Sequence, residues 1–211
     1  SALWRNPRLD RVGVEVDPDF PFVHLKAWLA AADADLLTNQ LHRREDWVQG
    51  SVRMFGRVVP EPRLTLFEGD PGIIYTYAHR RLEGTGWSPE LRVLRDRFRA
   101  ELGVETNTVL ANLYRDSRDS MGWHRDHEPE LGPDPWVVSV SLGEARDFDV
   151  RRDADGARHR FQLGHGDLLI MGTQSQTKWT HSVPKRLKIK NFRINLTFRH
   201  VFNREIAPFR I

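Results

Sequence analysis

Two histidines and a carboxylate stand in an order that can hold a metal. His124-Arg125-Asp126 offers an imidazole and a carboxylate two residues apart, and His181 follows far downstream. Such a set binds Fe(II) on one face and leaves positions open for a co-substrate and oxygen. Arg193 comes a dozen residues after His181. Its planar guanidinium can hold a dicarboxylate by two parallel hydrogen bonds. Asn112, Tyr114 and Asn195 add polar groups in the same half of the chain. A lone His-x-Asp arises by chance in most proteins, and His181 is unremarkable by itself. The ordered set through Arg193 is what points to an iron- and 2-oxoglutarate-dependent oxygenase.

The elements that would position these residues are short strands. From residue 107 onward, candidate strands run over Thr108–Arg115, Val137–Leu142, Phe148–Arg151, Arg158–Gln162, Asp167–Met171 and Phe192–Phe202. Gly, Pro and Asp separate most of them, as in an all-β barrel or sandwich. Within the last strand Ile194, Leu196 and Phe198 point one way, and Arg193, Asn195, Thr197 and Arg199 the other. Strand 108–115 is split similarly, with Leu110, Asn112 and Tyr114 on one face. His124 and Asp126, if on a strand, project to one side. Polar faces of this kind either meet solvent or line a pocket, and the metal set beside them favours the pocket.

Two helices precede the strands. Asp33 to about Arg44 places Leu36, Leu37, Gln40 and Leu41 on one face. The second opens with Ser88 as N-cap, Pro89 at the first helical position and Glu90 at the positive end. Leu91, Leu94, Phe98 and Leu102 form its stripe, and Gly103 can end it. Residues 1–20 are irregular and Pro-punctuated. The expected fold is mainly β with flanking helices (α+β): a double-stranded β-helix, or jelly roll, with the helices on one sheet.

At 211 residues the chain suits a single domain, 1–211. It is 39% hydrophobic and 29% charged, with no apolar run long enough for a bilayer. The absence of cysteine excludes disulfides and thiolate metal sites and fits the cytoplasm, or the nucleus of a eukaryote. Net charge is only +3, but basic residues cluster at Lys185–Lys190, Arg43-Arg44, Arg80-Arg81 and Arg151-Arg152. These suit either a nucleic-acid face or an ordinary solvated surface.

Asn112-Leu113-Tyr114, Met121-Gly122-Trp123-His124-Arg125-Asp126, Ser139–Gly143, Arg146-Asp147-Phe148 and Arg193–Arg199 together resemble the AlkB family of nucleic-acid dealkylases. The likeness spans roughly residues 47–200 and is closest to the nuclear DNA-repair members. It implies a nucleotide-recognition lid with a supporting helix over about 45–105 and a catalytic jelly roll over about 107–203. His124, Asp126 and His181 would ligate Fe(II). Arg193 would pair with the far carboxylate of 2-oxoglutarate, which Asn112, Tyr114 and Asn195 help seat. Arg199 would meet its other end and orient the metal ligands.

The resemblance extends to the substrate side. Val52-Arg53-Met54-Phe55-Gly56-Arg57 is similar to the hairpin with which repair members probe a duplex, Phe55 filling the gap of the extruded base. From sequence, Phe55 is equally an ordinary core residue of a short strand. Tyr75 and Tyr77 match a strand that clamps the flipped base, and Glu128 an acidic position that meets the damaged base. The implied activity is repair of 1-methyladenine, 3-methylcytosine and etheno adducts in DNA by a monomer, with oxygen as co-substrate. The alternatives are an oxygenase acting on RNA, protein or a small molecule, and a catalytically silent nucleic-acid-binding module.

Overall fold

The computed structural model describes residues 16–203. Of the expected irregular opening segment, residues 1–15 lie outside the described part, as do 204–211 at the other end of the expected domain. Two antiparallel sheets face each other. The larger has six strands in the order β1 (Phe22–Leu25), β12 (Leu168–Met171), β9 (Val137–Gly143), β14 (Arg193–Arg199), β7 (Thr108–Tyr114) and β4 (Leu64–Gly69). The smaller has four: β11 (Arg158–Leu163), β10 (Arg146–Arg152), β13 (Trp179–Val183) and β8 (Met121–His124). This is the expected jelly roll. It draws β1 and β4 from the first half of the chain, so the core is not confined to 107–203.

Two helices cover the outer face of the larger sheet: α1 (Ala31–His42) and α2 (Pro89–Arg97), which runs on as a π-helical turn, Phe98–Leu102. Gly103 closes that turn at φ +66°, a left-handed conformation that glycine adopts without strain. The stripe Leu91, Leu94, Phe98 and Leu102 is buried as expected, against Val109, Ala111, Ile194, Leu196 and Phe198. The face of α1 differs from expectation. Ala34, Leu37, Thr38 and Leu41 are buried, whereas Leu36 is 59% exposed and Gln40 is exposed. Thr38 tolerates burial because its hydroxyl donates to the Ala34 carbonyl at 2.6 Å. The Ser88 hydroxyl does not cap α2 but donates to Glu68 at 3.0 Å.

Phe98 joins helix to sheet. It is fully buried, with its ring edge-on to Phe198 at 4.8 Å and tilted against Trp28 at 5.4 Å. Phe98→Ala is therefore expected to cost about 3–5 kcal/mol, seen as a lower melting temperature. A melting temperature equal to wild type would show that this contact does not anchor the helices.

A second core fills the space between the sheets with Phe22, Val137, Phe148, Val150, Phe161, Met171 and Trp179. β14 is thus buried on both sides. Its apolar residues face the helices, and its polar residues face the interior between the sheets. Two hairpins precede this core, β2 (Ser51–Met54) with β3 (Arg57–Pro60), and β5 (Ile74–Tyr77) with β6 (Arg80–Glu83).

Candidate active site

The two imidazoles are brought together by strand pairing. His181 in β13 sits directly opposite His124, the last residue of β8, with ring centroids 4.2 Å apart. Asp126 lies two residues beyond the end of β8, not on the strand as expected. Its position is fixed otherwise. Its amide donates to Gln176 Oε1 at 2.9 Å, and Arg199 Nε and Nη2 each reach Asp126 Oδ2 at 2.8 Å. One ligand atom from each of His124, Asp126 and His181 lies within 4.8 Å of the others.

The donor set suits a divalent iron. His124 Nδ1 lies 2.8 Å from the Gly122 carbonyl; the ring nitrogen there is the donor, which leaves Nε2 bare. Burial holds His124 below the usual histidine range and His181 down to about 3, so both rings are in the neutral, ligating form. Burial alone would raise Asp126, but the Arg199 guanidinium opposes it and keeps the carboxylate ionised. Asp126 Oδ1 is buried without a hydrogen-bond partner, whereas Oδ2 is taken by Arg199.

Next to the triad, the interior face of the larger sheet is polar. In the register of β14 with β7, Arg193 opposes Tyr114 and Asn195 opposes Asn112. All four line the same cavity as His124, Asp126, His181, Tyr77 and Arg199. Asn195 donates to Ser139 Oγ at 2.6 Å and accepts from the Thr197 hydroxyl at 2.8 Å. Arg193 is 1% exposed and donates to Ser141 Oγ at 2.9 Å, but its Nε and Nη1 have no partner. Burial lowers its pKa to about 10, still charged at neutral pH. No carboxylate pairs with it among the described residues. A buried cation with two free donors is costly unless an anion is met there. A carboxylate, which accepts charge-assisted hydrogen bonds from a guanidinium, fits that need.

Several residues of the site had no role assigned from the sequence. Arg63 Nε donates to Asn112 Oδ1 at 2.9 Å, and its Nη2 lies 3.4 Å from the Tyr77 hydroxyl. Gln176 holds the Asp126 amide. Arg146, belonging to one of the quoted motifs, is buried and donates to the carbonyls of Asp119 and Pro184 at 2.9 and 3.0 Å. Arg146 and Arg193 each lie 5.6 Å from the Tyr114 ring centroid. These polar residues have partners 14–50 positions away, beyond the reach of local spacing.

On the substrate side, Tyr75 and Tyr77 are buried, 6.0 Å apart between ring centroids, and Arg199 lies 5.8 Å from each ring. Burial raises both phenols, Tyr77 to about 12. Glu128 is half-buried with Oε2 unpartnered, and burial together with the Asp126 charge raises its pKa. Phe55 is not a core residue. It is 99% exposed at the tip of the β2–β3 hairpin, and Arg53 and Gly56 are exposed beside it. Met54 pairs with Arg57 at the last rung. The basic clusters are matched by acids only in part. Arg44 meets Asp46 and Glu68, Arg81 meets Glu83, Arg152 meets Asp155 and Arg186 meets Asp147, while Lys185, Lys188 and Lys190 are exposed.

A double-stranded β-helix with a two-histidine, one-carboxylate set beside a buried arginine defines a class of metal-dependent oxygenase. The model of the 2OG-Fe(II) oxygenase superfamily matches residues 21–199. The chain is 38% identical to the mouse DNA oxidative demethylase ALKBH2, over 95% of this chain and 85% of that protein. It is 38% identical to human ALKBH2, over 81% of this chain and 69% of the relative. With human alpha-ketoglutarate-dependent dioxygenase alkB homolog 3 it shares 37%, over 81% of this chain and 62% of the relative. The solved structure of OsALKBH1 superposes with a TM-score of 0.60 at 20% identity, over 89% of this chain and all of that one, which supports the fold. The chain belongs to the AlkB family of Fe(II)- and 2-oxoglutarate-dependent dioxygenases. No helix among the described residues is long and apolar enough to cross a membrane.

Proposed function

We propose that this enzyme removes alkyl groups oxidatively from bases in DNA, with 1-methyladenine, 3-methylcytosine and etheno adducts as substrates. The observation that carries the chemistry is the buried arginine with two free donors on the same interior face as the triad. His124, Asp126 and His181 would hold Fe(II), with Asp126 Oδ1 free for the metal. Arg193 would bind the distal carboxylate of 2-oxoglutarate, and Asn112, Tyr114 and Asn195 would seat it. Bound Fe(II), 2-oxoglutarate and oxygen supply the oxidation, in which the co-substrate leaves as succinate and carbon dioxide and an N-alkyl group becomes a hydroxyalkyl that departs as an aldehyde. Arg199 fixes Asp126 and shields the charge of the site. Tyr75 and Tyr77 would stack the flipped base, and Glu128 would meet its polar edge or favour a cationic lesion.

DNA as the substrate is supported by the demethylase relatives and by the first hairpin. Phe55 and Gly56 form its two-residue turn at φ +49° and +77°, the pattern of a type I′ turn. Phenylalanine is strained at positive φ, by about 1–3 kcal/mol. A large apolar ring held in a strained, fully exposed turn points to a wedge for base stacks. Phe55→Ala is expected to leave the melting temperature unchanged and to reduce repair in a duplex by about tenfold or more, because the wedge offsets part of a few kcal/mol of unstacking. Repair in a single strand, already unpaired, should change little. Equal losses on both substrates would remove the wedge and favour single-stranded DNA or RNA.

The test of the function is direct. Duplex and single-stranded oligonucleotides carrying 1-methyladenine, 3-methylcytosine or 1,N6-ethenoadenine are incubated with the protein, Fe(II) and 2-oxoglutarate, and the products are read by mass. Loss of the alkyl group, dependent on 2-oxoglutarate, is expected. Succinate release without any change in these bases would exclude DNA repair and leave another substrate class.

A further inference from the structure

Glu61 is a buried charge with no part in the chemistry above. It is 1% exposed, and neither carboxylate oxygen has a hydrogen-bond partner. Two guanidiniums flank it: Arg63 Nη2 at 3.6 Å and Arg80 Nη2 at 3.9 Å from Glu61 Oε2. These distances give ion pairing without a tight hydrogen bond. Gly50 lies against the group. A Cβ on Gly50 would come 2.8 Å from Glu61 Oε2 and 3.1 Å from Arg80 Cζ, so a side chain at residue 50 would have to displace these two groups.

The cluster joins two stretches of chain: Glu61 and Arg63 lie between β3 and β4, and Arg80 lies in β6. Glu61 directly follows β3, and its amide donates to the Gly50 carbonyl, closing the root of the Phe55 hairpin. Arg80 opens β6 opposite Tyr77 and donates to Thr65 Oγ1 at 2.9 Å. Arg63 reaches inward to Asn112 Oδ1 and to the Tyr77 hydroxyl. Taking one charge from a buried cluster leaves the others uncompensated. Without Glu61, Arg63 has no fixed counter-charge and can swing away from Asn112.

We propose that Glu61 is a positioning residue: through Arg63 and Arg80 it ties the roots of both hairpins to Asn112 and so sets the affinity for 2-oxoglutarate from outside the cavity. This inference rests on the co-substrate site proposed above. Glu61 itself does not line that cavity, and Arg63 touches it only through Asn112 and Tyr77.

The test is 2-oxoglutarate binding by calorimetry to the protein loaded with redox-inert Mn(II), together with the melting temperature of each variant. Glu61→Gln keeps the shape and removes the charge. It is expected to weaken 2-oxoglutarate binding by about fivefold, the scale of coupling within one charged network. Glu68→Gln is the control. Glu68 is also a buried carboxylate, bonded to Arg44 and Ser88 away from the cavity, so its loss should lower the melting temperature and leave 2-oxoglutarate binding unchanged. A second variant, Arg63→Lys, keeps a cation opposite Glu61 but loses the fork that reaches Asn112 and Tyr77, and should also weaken binding. It decides the matter if Glu61→Gln does not fold. Wild-type affinity in folded Glu61→Gln, or in Arg63→Lys, overturns the proposal and makes the triad purely structural. Failure of the wild-type protein to bind 2-oxoglutarate would instead refute the co-substrate site.

Discussion

Asp126→Asn is expected to abolish turnover while the protein stays folded. The open metal site needs all three protein donors, and the carboxylate also balances the metal charge. The arrangement around Asp126 explains why Asn is the sharper probe than Ala. Asp126 Oδ2 holds Arg199 by two contacts at 2.8 Å, and Oδ1 is left free. An Asn side chain can give its oxygen to Arg199, which turns its NH2, a donor with no lone pair to share, toward the metal. Asp126→Ala also removes the metal ligand, but it strands Arg199 as a buried cation. That loss adds about 3–5 kcal/mol of destabilisation. Succinate production and thermal melting on both variants check the point. Substantial turnover in either folded variant would take Asp126 out of the metal site.

Arg193→Lys should have the next largest effect, on 2-oxoglutarate rather than on DNA. Nε and Nη1 of Arg193 are two buried donors without partners, held in place by Ser141 and by Tyr114 opposite in the sheet. Lysine keeps the charge but loses the planar array of several fixed donors. The expected loss is about 2–3 kcal/mol, the scale of hydrogen bonds to a charged group, or on the order of a hundredfold in the 2-oxoglutarate concentration required. Affinity for lesion DNA should move far less, because Arg193 is sealed inside the sheets. Unchanged 2-oxoglutarate affinity, measured by titration, would show that the orphaned donors serve another purpose.

The parts of this site that were legible in the sequence are those set by strand periodicity. Alternation along Arg193–Arg199 and Thr108–Tyr114 separated the core face from the polar face, and pairing of β14 with β7 confirmed both. β8 and β13 were missed because neither alternates in the usual sense. Met121-Gly122-Trp123-His124 is four residues with its middle exposed, and Trp179–Val183 buries His181 and Ser182 alongside its apolar residues. Consequently Asp126 seemed to share a strand with His124, when a loop held by Gln176 and Arg199 carries it. α1 misled because leucines at 36, 37 and 41 suggested a face, whereas the helix turns Ala34 and Thr38 inward and leaves Leu36 out. Phe55 had two equal readings from sequence, and only its place in a two-residue turn separates them. Arg63 and Glu61 had no recognisable pattern, since the fold brings Asn112 to Arg63 and Arg80 to Glu61.

The central claim, that the paired sheets assemble an Fe(II)- and 2-oxoglutarate-binding site from these residues, is tested most directly by anaerobic titration. Fe(II) and 2-oxoglutarate are added to the wild-type protein, to Asp126→Asn and to Arg193→Lys, and the visible charge-transfer band of the complex is followed. The wild-type protein should develop the band only when both are present. Asp126→Asn should show none, and Arg193→Lys should need far more 2-oxoglutarate to reach it. Absence of the band in the wild-type protein, or its full appearance in Asp126→Asn, would contradict the assignment of the site.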